Sequence, residues 1–374
     1  MHVSTRCPTC GTVYGDDMRF CAKDGAKLMT VSTSSPTPAT PALGVPPVRA
    51  ADPTPARPAG TPPFAARATV DFSKLSGQLL DNRYQVARKI GEGGMSFVYL
   101  AQDTNTGEKV AIKILSPALI KDENAMARLR REAALGGRLA HPNVCHIIRL
   151  GETPTGLVYI VMPFIQGELL CDRTVRFGHL PLDVTAGFVR DMSAGLQVAH
   201  ELGIIHRDLK PENIMIVARP DGTERAVVMD FGLAKERQVS AEVQKLTATG
   251  IVLGTPEFMS PEQLRGKPLD PRTDVYSLAI MTFEMLTGKL PFEGRTQQEI
   301  MIARLKGEPV PIRKLRPDLN IPAPVEKVLL KALARDSEQR YATTLEFGDA
   351  FARGAAGEDP DAEGGSVLGR LLRR

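Results

Sequence analysis

Tryptophan is absent from this chain of 374 residues, and aromatic residues make up only 5% of it. Its five cysteines are an odd number and too few to suggest a disulfide framework at this length. No run of about 18 apolar residues occurs, so no segment is built to span a bilayer. The opening Met1-His2-Val3-Ser4-Thr5-Arg6-Cys7 lacks the apolar centre of a signal peptide. Charge of one sign is also scarce: 47 Lys and Arg against 43 Asp and Glu leave a net charge of +4, which argues against nucleic acid or a membrane surface as the partner. Together these absences predict a reduced, soluble, cytoplasmic protein. The apolar fraction of 43% and charged fraction of 24% are those of an ordinary globular chain.

Composition divides the chain. Residues 1–29 hold Cys7, Cys10 and Cys21 among Gly and Asp turns. Residues 30–75 are rich in Pro, Ala, Thr and Ser, with almost no large apolar side chains, and too little to bury to offset ordering entropy. That tract reads as an extended linker, stiffened locally toward polyproline II. From Tyr84 the pattern is that of a packed domain, running to Phe351. Strands are predicted at Tyr84–Ile90, Phe97–Ala101 and Lys109–Leu115, with another over Val158–Met162. A helix is predicted from Glu123 to Leu139 with Gly136-Gly137 inside it, a pair that would make the element easy to displace. Beyond Pro163 helical patterns dominate, including Thr185–Leu202 and Arg272–Leu286. Residues 352–374 read as a mobile tail.

The residues that carry chemistry fall between Gly91 and Glu262. Ile90 leads into Gly91-Glu92-Gly93-Gly94-Met95-Ser96-Phe97-Val98, glycines whose backbone can approach phosphates closely and donate N–H groups. Then come Val110-Ala111-Ile112-Lys113, Glu132, His206-Arg207-Asp208-Leu209-Lys210-Pro211-Glu212-Asn213, Asp230-Phe231-Gly232 and Ser260-Pro261-Glu262. Each is weak alone. Taken separately, a Lys ending a strand is usually a solvated charge, and the apolar positions could be plain core.

In this order and at these spacings the set resembles the eukaryotic-like Ser/Thr protein kinases of bacteria, over about Tyr84 to Phe351. The resemblance implies an α+β, two-lobed fold with a small, mostly β first lobe and a larger helical second lobe. It also implies transfer of the ATP γ-phosphoryl group to protein Ser/Thr hydroxyls with Mg²⁺ or Mn²⁺. Lys113 would pair with the α- and β-phosphates and Glu132 would hold that lysine. Adenine would lie between Val98 and Ala111 above and Met215 below. Met162 would stand at the back of the site, with the Pro163 carbonyl and the Ile165 N–H facing the base. Asp208 would accept or orient the substrate proton, Lys210 would neutralise the moving phosphoryl, and Asn213 and Asp230 would bind the metal. Thr255 would position the substrate hydroxyl. Glu262 would pair with Arg340, and Asp274 would accept N–H bonds from the catalytic loop. Arg207 beside Asp208 implies a switch by phosphate on Thr247 and Thr249. Ser96 stands where the family has its third glycine, and Pro163 where an acidic residue is usual. Proline leaves the carbonyl free to accept.

Cys7-Pro8-Thr9-Cys10 with Cys21 resembles a zinc ribbon in which Asp24 replaces the fourth cysteine, a Cys₃Asp set that Zn²⁺ accepts. Such a module would serve docking or sensing; the alternative is a relic that binds no metal. A pseudokinase scaffold is the first rival reading, and the retained Lys113, Asp208, Asn213 and Asp230 argue against it. A nucleic-acid-binding ribbon is the second. It has only Arg6, Arg19, Lys23 and Lys27 as cations in residues 1–29. Expected partners are protein substrates and a docking partner for the first module, with room for a kinase-domain homodimer.

Overall fold

The structure, a computed structural model, describes residues 4–6, 13–14, 29–31, 74–93, 96–115, 123–231 and 256–361. Cys7, Cys10, Cys21, Asp24, Gly94, Met95, Thr247, Thr249, Thr255 and most of the Pro-rich tract lie outside these residues. The chain divides into two compact units, Met1–Ala65 and Ala66–Arg374. In the first, strands β1 (Ser4–Arg6), β2 (Val13–Tyr14) and β3 (Met29–Val31) form an antiparallel sheet in the order β2-β1-β3. Thr30 and Val31, expected to begin the linker, are therefore strand residues.

The second unit opens with a six-stranded antiparallel sheet. Its strands are β4 (Leu79–Leu80), β5 (Tyr84–Gly93), β6 (Ser96–Asp103), β7 (Lys109–Leu115), β8 (Arg149–Glu152) and β9 (Val158–Pro163), in the order β4-β5-β6-β7-β9-β8. Strand β5 alternates, burying Tyr84 and Val86 while Gln85 and Ala87 face solvent. It does not stop at Ile90 as the sequence pattern suggests. It runs on through the glycines to pair Gly93 with Ser96, bending at two register shifts on the way. Central strand β7, flanked by β6 and β9, buries Val110, Ile112 and Ile114 in the sheet core. Leu75 and Leu80 are buried in the same cluster as Tyr84, Tyr99 and Ile112, so the packed domain begins ahead of Tyr84.

Helix α1 spans Glu123–Gly136. The expected helix to Leu139 is thus cut short, and the Gly136-Gly137 pair ends it instead of lying inside it. Two adjacent glycines are poor helix formers, and a Cβ on Gly136 would sit 2.8 Å from Ile147 Cδ1. The pair thus stands at the end of the helix, against Ile147.

Below the sheet the chain becomes helical. It continues through β10 (Glu168–Leu169), α2 (Leu170–Phe177), α3 (Leu182–Glu201), β11 (Ile214–Ala218), β12 (Glu224–Val228), α4 (Pro261–Leu264), α5 (Arg272–Thr287), α6 (Gln297–Lys306), α7 (Ile312–Leu315), α8 (Ala323–Ala332) and α9 (Thr344–Ala355). Helix α5 is buried on nearly every side, with Val275, Leu278, Ala279, Ile280 and Met281 all fully enclosed. Each of these side chains except that of Ala279 contributes about 1.5–3 kcal/mol by leaving water. This helix is the post around which α3, α8 and α9 pack, and it fixes the floor of the site. Helix α9 runs past Phe351, and Asp361 pairs with Lys327 of α8 at 2.7 Å. Residues 352–355, expected to lie in a mobile tail, are instead helical.

Candidate active site

The roof of the site comes from β5, β6, β7 and β9. On β7 the residues Val110, Ile112 and Ile114 face the sheet core, so Ala111 and Lys113 share the opposite face, two residues apart. Ala111 stands opposite Met162 in register, and Val98 opposite both Gly91 and Lys113. Phe164 N–H donates to the Lys109 carbonyl at 3.3 Å, tying the chain after β9 to the start of β7. The Pro163 carbonyl has a long contact, 3.9 Å, from the Cys145 thiol, a weak donor that leaves a lone pair available. Burial, with the Asp230 carboxylate a lesser cause, pushes the Cys145 thiol up to about 12, so it stays protonated. Ile90 and Glu92 are on the rim, where Glu92 pairs with Lys89 at 2.5 Å. Met215 and Ile165 are half-buried below and beside this face, with Met215 paired to Leu169 across β10 and β11.

The floor is the loop from His206 to Asn213, and its shape is set by main-chain bonds. The Asp274 carboxylate, fully buried at the start of α5, accepts from the His206 N–H at 2.8 Å and the Arg207 N–H at 3.1 Å. It also bonds His200 Nε2 at 2.7 Å. Burial alone would raise its pKa. The hydrogen bond and charge of His200, with the His206 contacts, outweigh that and hold it below the usual carboxylate range. These bonds keep Arg207 in the left-handed region, φ 65°, costly for a non-glycine residue. His206 uses both ring nitrogens. Its Nε2 lies 2.9 Å from the Met229 carbonyl, which can only accept, so the proton is on Nε2 and Nδ1 accepts from the Asp208 N–H at 3.3 Å. His206 is thus a fully buried spacer, its ring against Phe231 at 4.8 Å.

Asp208 projects from this loop with its carboxylate Oδ2 held by Asn213 Nδ2 at 3.0 Å and lying 3.4 Å from Lys210 Nζ. Asn213 Nδ2 also bonds the Asp208 carbonyl at 2.8 Å, which leaves the Asn213 amide oxygen as an acceptor. The Met229 N–H donates to the Asn213 carbonyl at 2.8 Å, so Asp230 follows directly beside Asn213. One amide oxygen and one carboxylate are hard donors that suit Mg²⁺, an ion that keeps water and takes phosphate oxygens for its other positions. Among the described residues no cluster of three or more His, Cys, Asp or Glu could enclose a metal alone. The donor set fits a shared metal–phosphate site.

One expected contact is replaced by two others. Both oxygens of Asp230 lie 2.5 Å from Lys113 Nζ, and Glu132 Oε1 is 3.8 Å from the Arg207 guanidinium. The Lys113–Glu132 pair is therefore not formed in this conformation. Asp230 has φ 59°, and the Arg207 backbone is held by Asp274 at 3.1 Å.

Around the floor, Glu262 and Arg340 form a bidentate pair at 2.7 and 2.8 Å, with the arginine fully enclosed. Burial works to raise the Glu262 pKa, but the Arg340 bond and charge bring it below the ordinary range. Gln263 Nε2 donates to the Arg207 carbonyl at 2.7 Å. Gln263 escapes sequence reading because it reaches the loop from a distant element, and His200 because its partner Asp274 lies 74 residues further on. Glu284 on α5 has an oxygen that is buried with no hydrogen-bond partner among the described residues, and its carboxyl is pushed up to about 7 by burial, then by Glu212 and Glu257.

This constellation is matched by known proteins. The family described as the protein kinase domain covers residues 84–349, so the chain belongs to the protein kinase family. It is 36% identical over 279 residues to the serine/threonine-protein kinase pkn3 of Myxococcus xanthus, covering 75% of this chain and 51% of that protein. It is 37% identical over 286 residues to the serine/threonine-protein kinase PknB of Mycobacterium leprae, covering 76% and 44%. The chain spans about half the length of these curated relatives. The crystal structure of the PknI kinase domain of Mycobacterium tuberculosis superposes with a TM-score of 0.59 at 28% identity, covering 75% of this chain and 98% of that one. Among the described residues no helix is long and apolar enough to cross a membrane.

Proposed function

We propose that the chain is an active Ser/Thr protein kinase that moves the ATP γ-phosphoryl group onto protein Ser or Thr hydroxyls, its own loop between Gly232 and Gly254 included. The observation that carries this reading is Asp208, oriented by Asn213 and Lys210 beside the Lys113–Asp230 pair. A pseudokinase would have no need of that orientation. In the transfer, the bond from the γ-phosphorus to the β-γ bridging oxygen breaks and a bond to the hydroxyl oxygen forms. The hydroxyl proton passes to Asp208, and Lys210 offsets charge on the transferring group. Bound Mg²⁺ would supply charge neutralisation at the phosphates through Asn213 and Asp230. Lys113 would exchange Asp230 for phosphate oxygens.

The two ion pairs give the proposed loop switch a physical form. Phosphate on Thr247 or Thr249 would compete with Glu132 for Arg207 and free that carboxylate for Lys113. Incubation with γ-labelled ATP and Mg²⁺ followed by mapping of labelled residues tests the reading. Label should appear on an added protein and on Thr247 or Thr249. No transfer to any acceptor would overturn the kinase assignment, and transfer without loop labelling would overturn the switch.

At the other end of the chain, Cys7, Cys10, Cys21 and Asp24 would hold one Zn²⁺ more weakly than four thiolates. Elemental analysis of the whole protein should find one zinc that a chelator removes. Negligible zinc would mark the module as a relic. Docking of a protein partner through this module and a cytoplasmic location belong to the same reading.

A further inference from the structure

We propose that Arg304, on α6, is a positioning residue for the phosphoacceptor, acting through the segment that joins the loop after Thr255 to the catalytic loop. This inference rests on the kinase reading above. Arg304 is among the largest fully buried side chains, 1% exposed. Enclosing a guanidinium is costly unless its donors are used. Its Nη2 donates to the Glu257 carbonyl at 2.6 Å and its Nη1 to the Met259 carbonyl at 3.0 Å.

The carbonyl between them, on Phe258, accepts from Ser277 Oγ of α5 at 2.8 Å. No main-chain N–H among the described residues reaches any of these three carbonyls. These carbonyls, the one on Phe258 buried and the other two partly so, take their partners from side chains of two helices. Side chains of α5 and α6 thus add three bonds to the 3₁₀ turn at Pro256–Phe258 and the residue after it.

From there the coupling runs a short way to the chemistry. Ser260 caps α4, exchanging bonds with Gln263, and Gln263 Nε2 holds the Arg207 carbonyl next to Asp208. Phe258, Met259, Gln263 and Ser277 line one small cavity with Asp208 and Lys210. Displacing the 256–259 carbonyls would move the wall facing the acceptor and leave Lys113 and the nucleotide face untouched. Lysine cannot replace the arginine, because one ammonium lacks the planar fork that spans two carbonyls.

The test measures the steady-state kinetics of Arg304→Lys in the full chain with myelin basic protein as acceptor. KM for the acceptor should rise at least about fivefold, with KM for ATP and acceptor-independent ATP hydrolysis within about twofold of wild type. A merely structural role would shift both KM values together with the melting temperature. If Arg304→Lys fails to fold, Ser277→Ala removes the third bond with one small truncation and should raise the acceptor KM selectively. An unchanged acceptor KM, or equal changes in both KM values, would overturn the proposal in either variant. Absence of transfer by the wild type would instead overturn the kinase reading.

Discussion

Asp208→Asn and Lys113→Met should each slow phosphoryl transfer by about 10²–10⁴-fold or more in purified protein, the range spanned by one positioned base or one charge-stabilising donor. The two act differently. Asparagine keeps the size of Asp208, and so the bond to Asn213, but cannot take a proton at neutral pH. Methionine keeps the length of Lys113 and its strand packing but removes the cation that now binds Asp230. Neither should unfold the chain, since both side chains are partly solvent-facing and neither belongs to the apolar clusters. Thermal melting and phosphate transfer, measured on the same preparations, separate the effects. Turnover near wild type in both variants would remove these residues from the mechanism.

Glu284→Gln should stabilise the protein more at pH 8 than at pH 5, by about 2 kcal/mol between the two. Its carboxyl rises from the ordinary 4.5 to about 7, first because burial disfavours charge and then because Glu212 and Glu257 repel it. The folded chain therefore binds this proton more tightly than the unfolded chain does. Stability from this group is fully present below the unfolded value. It is lost as pH rises through the window from 4.5 to 7, and above that the charged form costs its full amount. Glutamine has nearly the same shape and no such titration. Denaturant unfolding of both proteins at the two pH values gives the comparison. A difference that does not change with pH would mean Glu284 finds solvent or a cation in the folded state.

The sequence made the fold legible where the pattern is local. Strand β7 and helix α5 each match their expected spans to within a residue, because each is a continuous apolar run with clear stops. Helix α1 is shorter than its pattern implies, and nothing in Gly136-Gly137 reveals Ile147 against it. The site was legible through its motif order, which brings Asp208, Lys210 and Asn213 together in a single loop. Partner choice was not. Glu132 could face Lys113 or Arg207 with the same sequence, and in the structure it lies 3.8 Å from Arg207. Gln263 and Arg304 lie on elements far from that loop in sequence, so spacing could not connect them with it.

Asp274 holds the catalytic loop by main-chain N–H groups, and this separates the loop's shape from the identity of its residues. Every residue except proline offers the same N–H at position 207. A descendant of this chain could therefore exchange Arg207 for a neutral residue, and with it the proposed response to loop phosphate, while keeping Asp208 in place. Control and chemistry are adjacent in sequence yet free to evolve apart, because the anchor grips what all amino acids share.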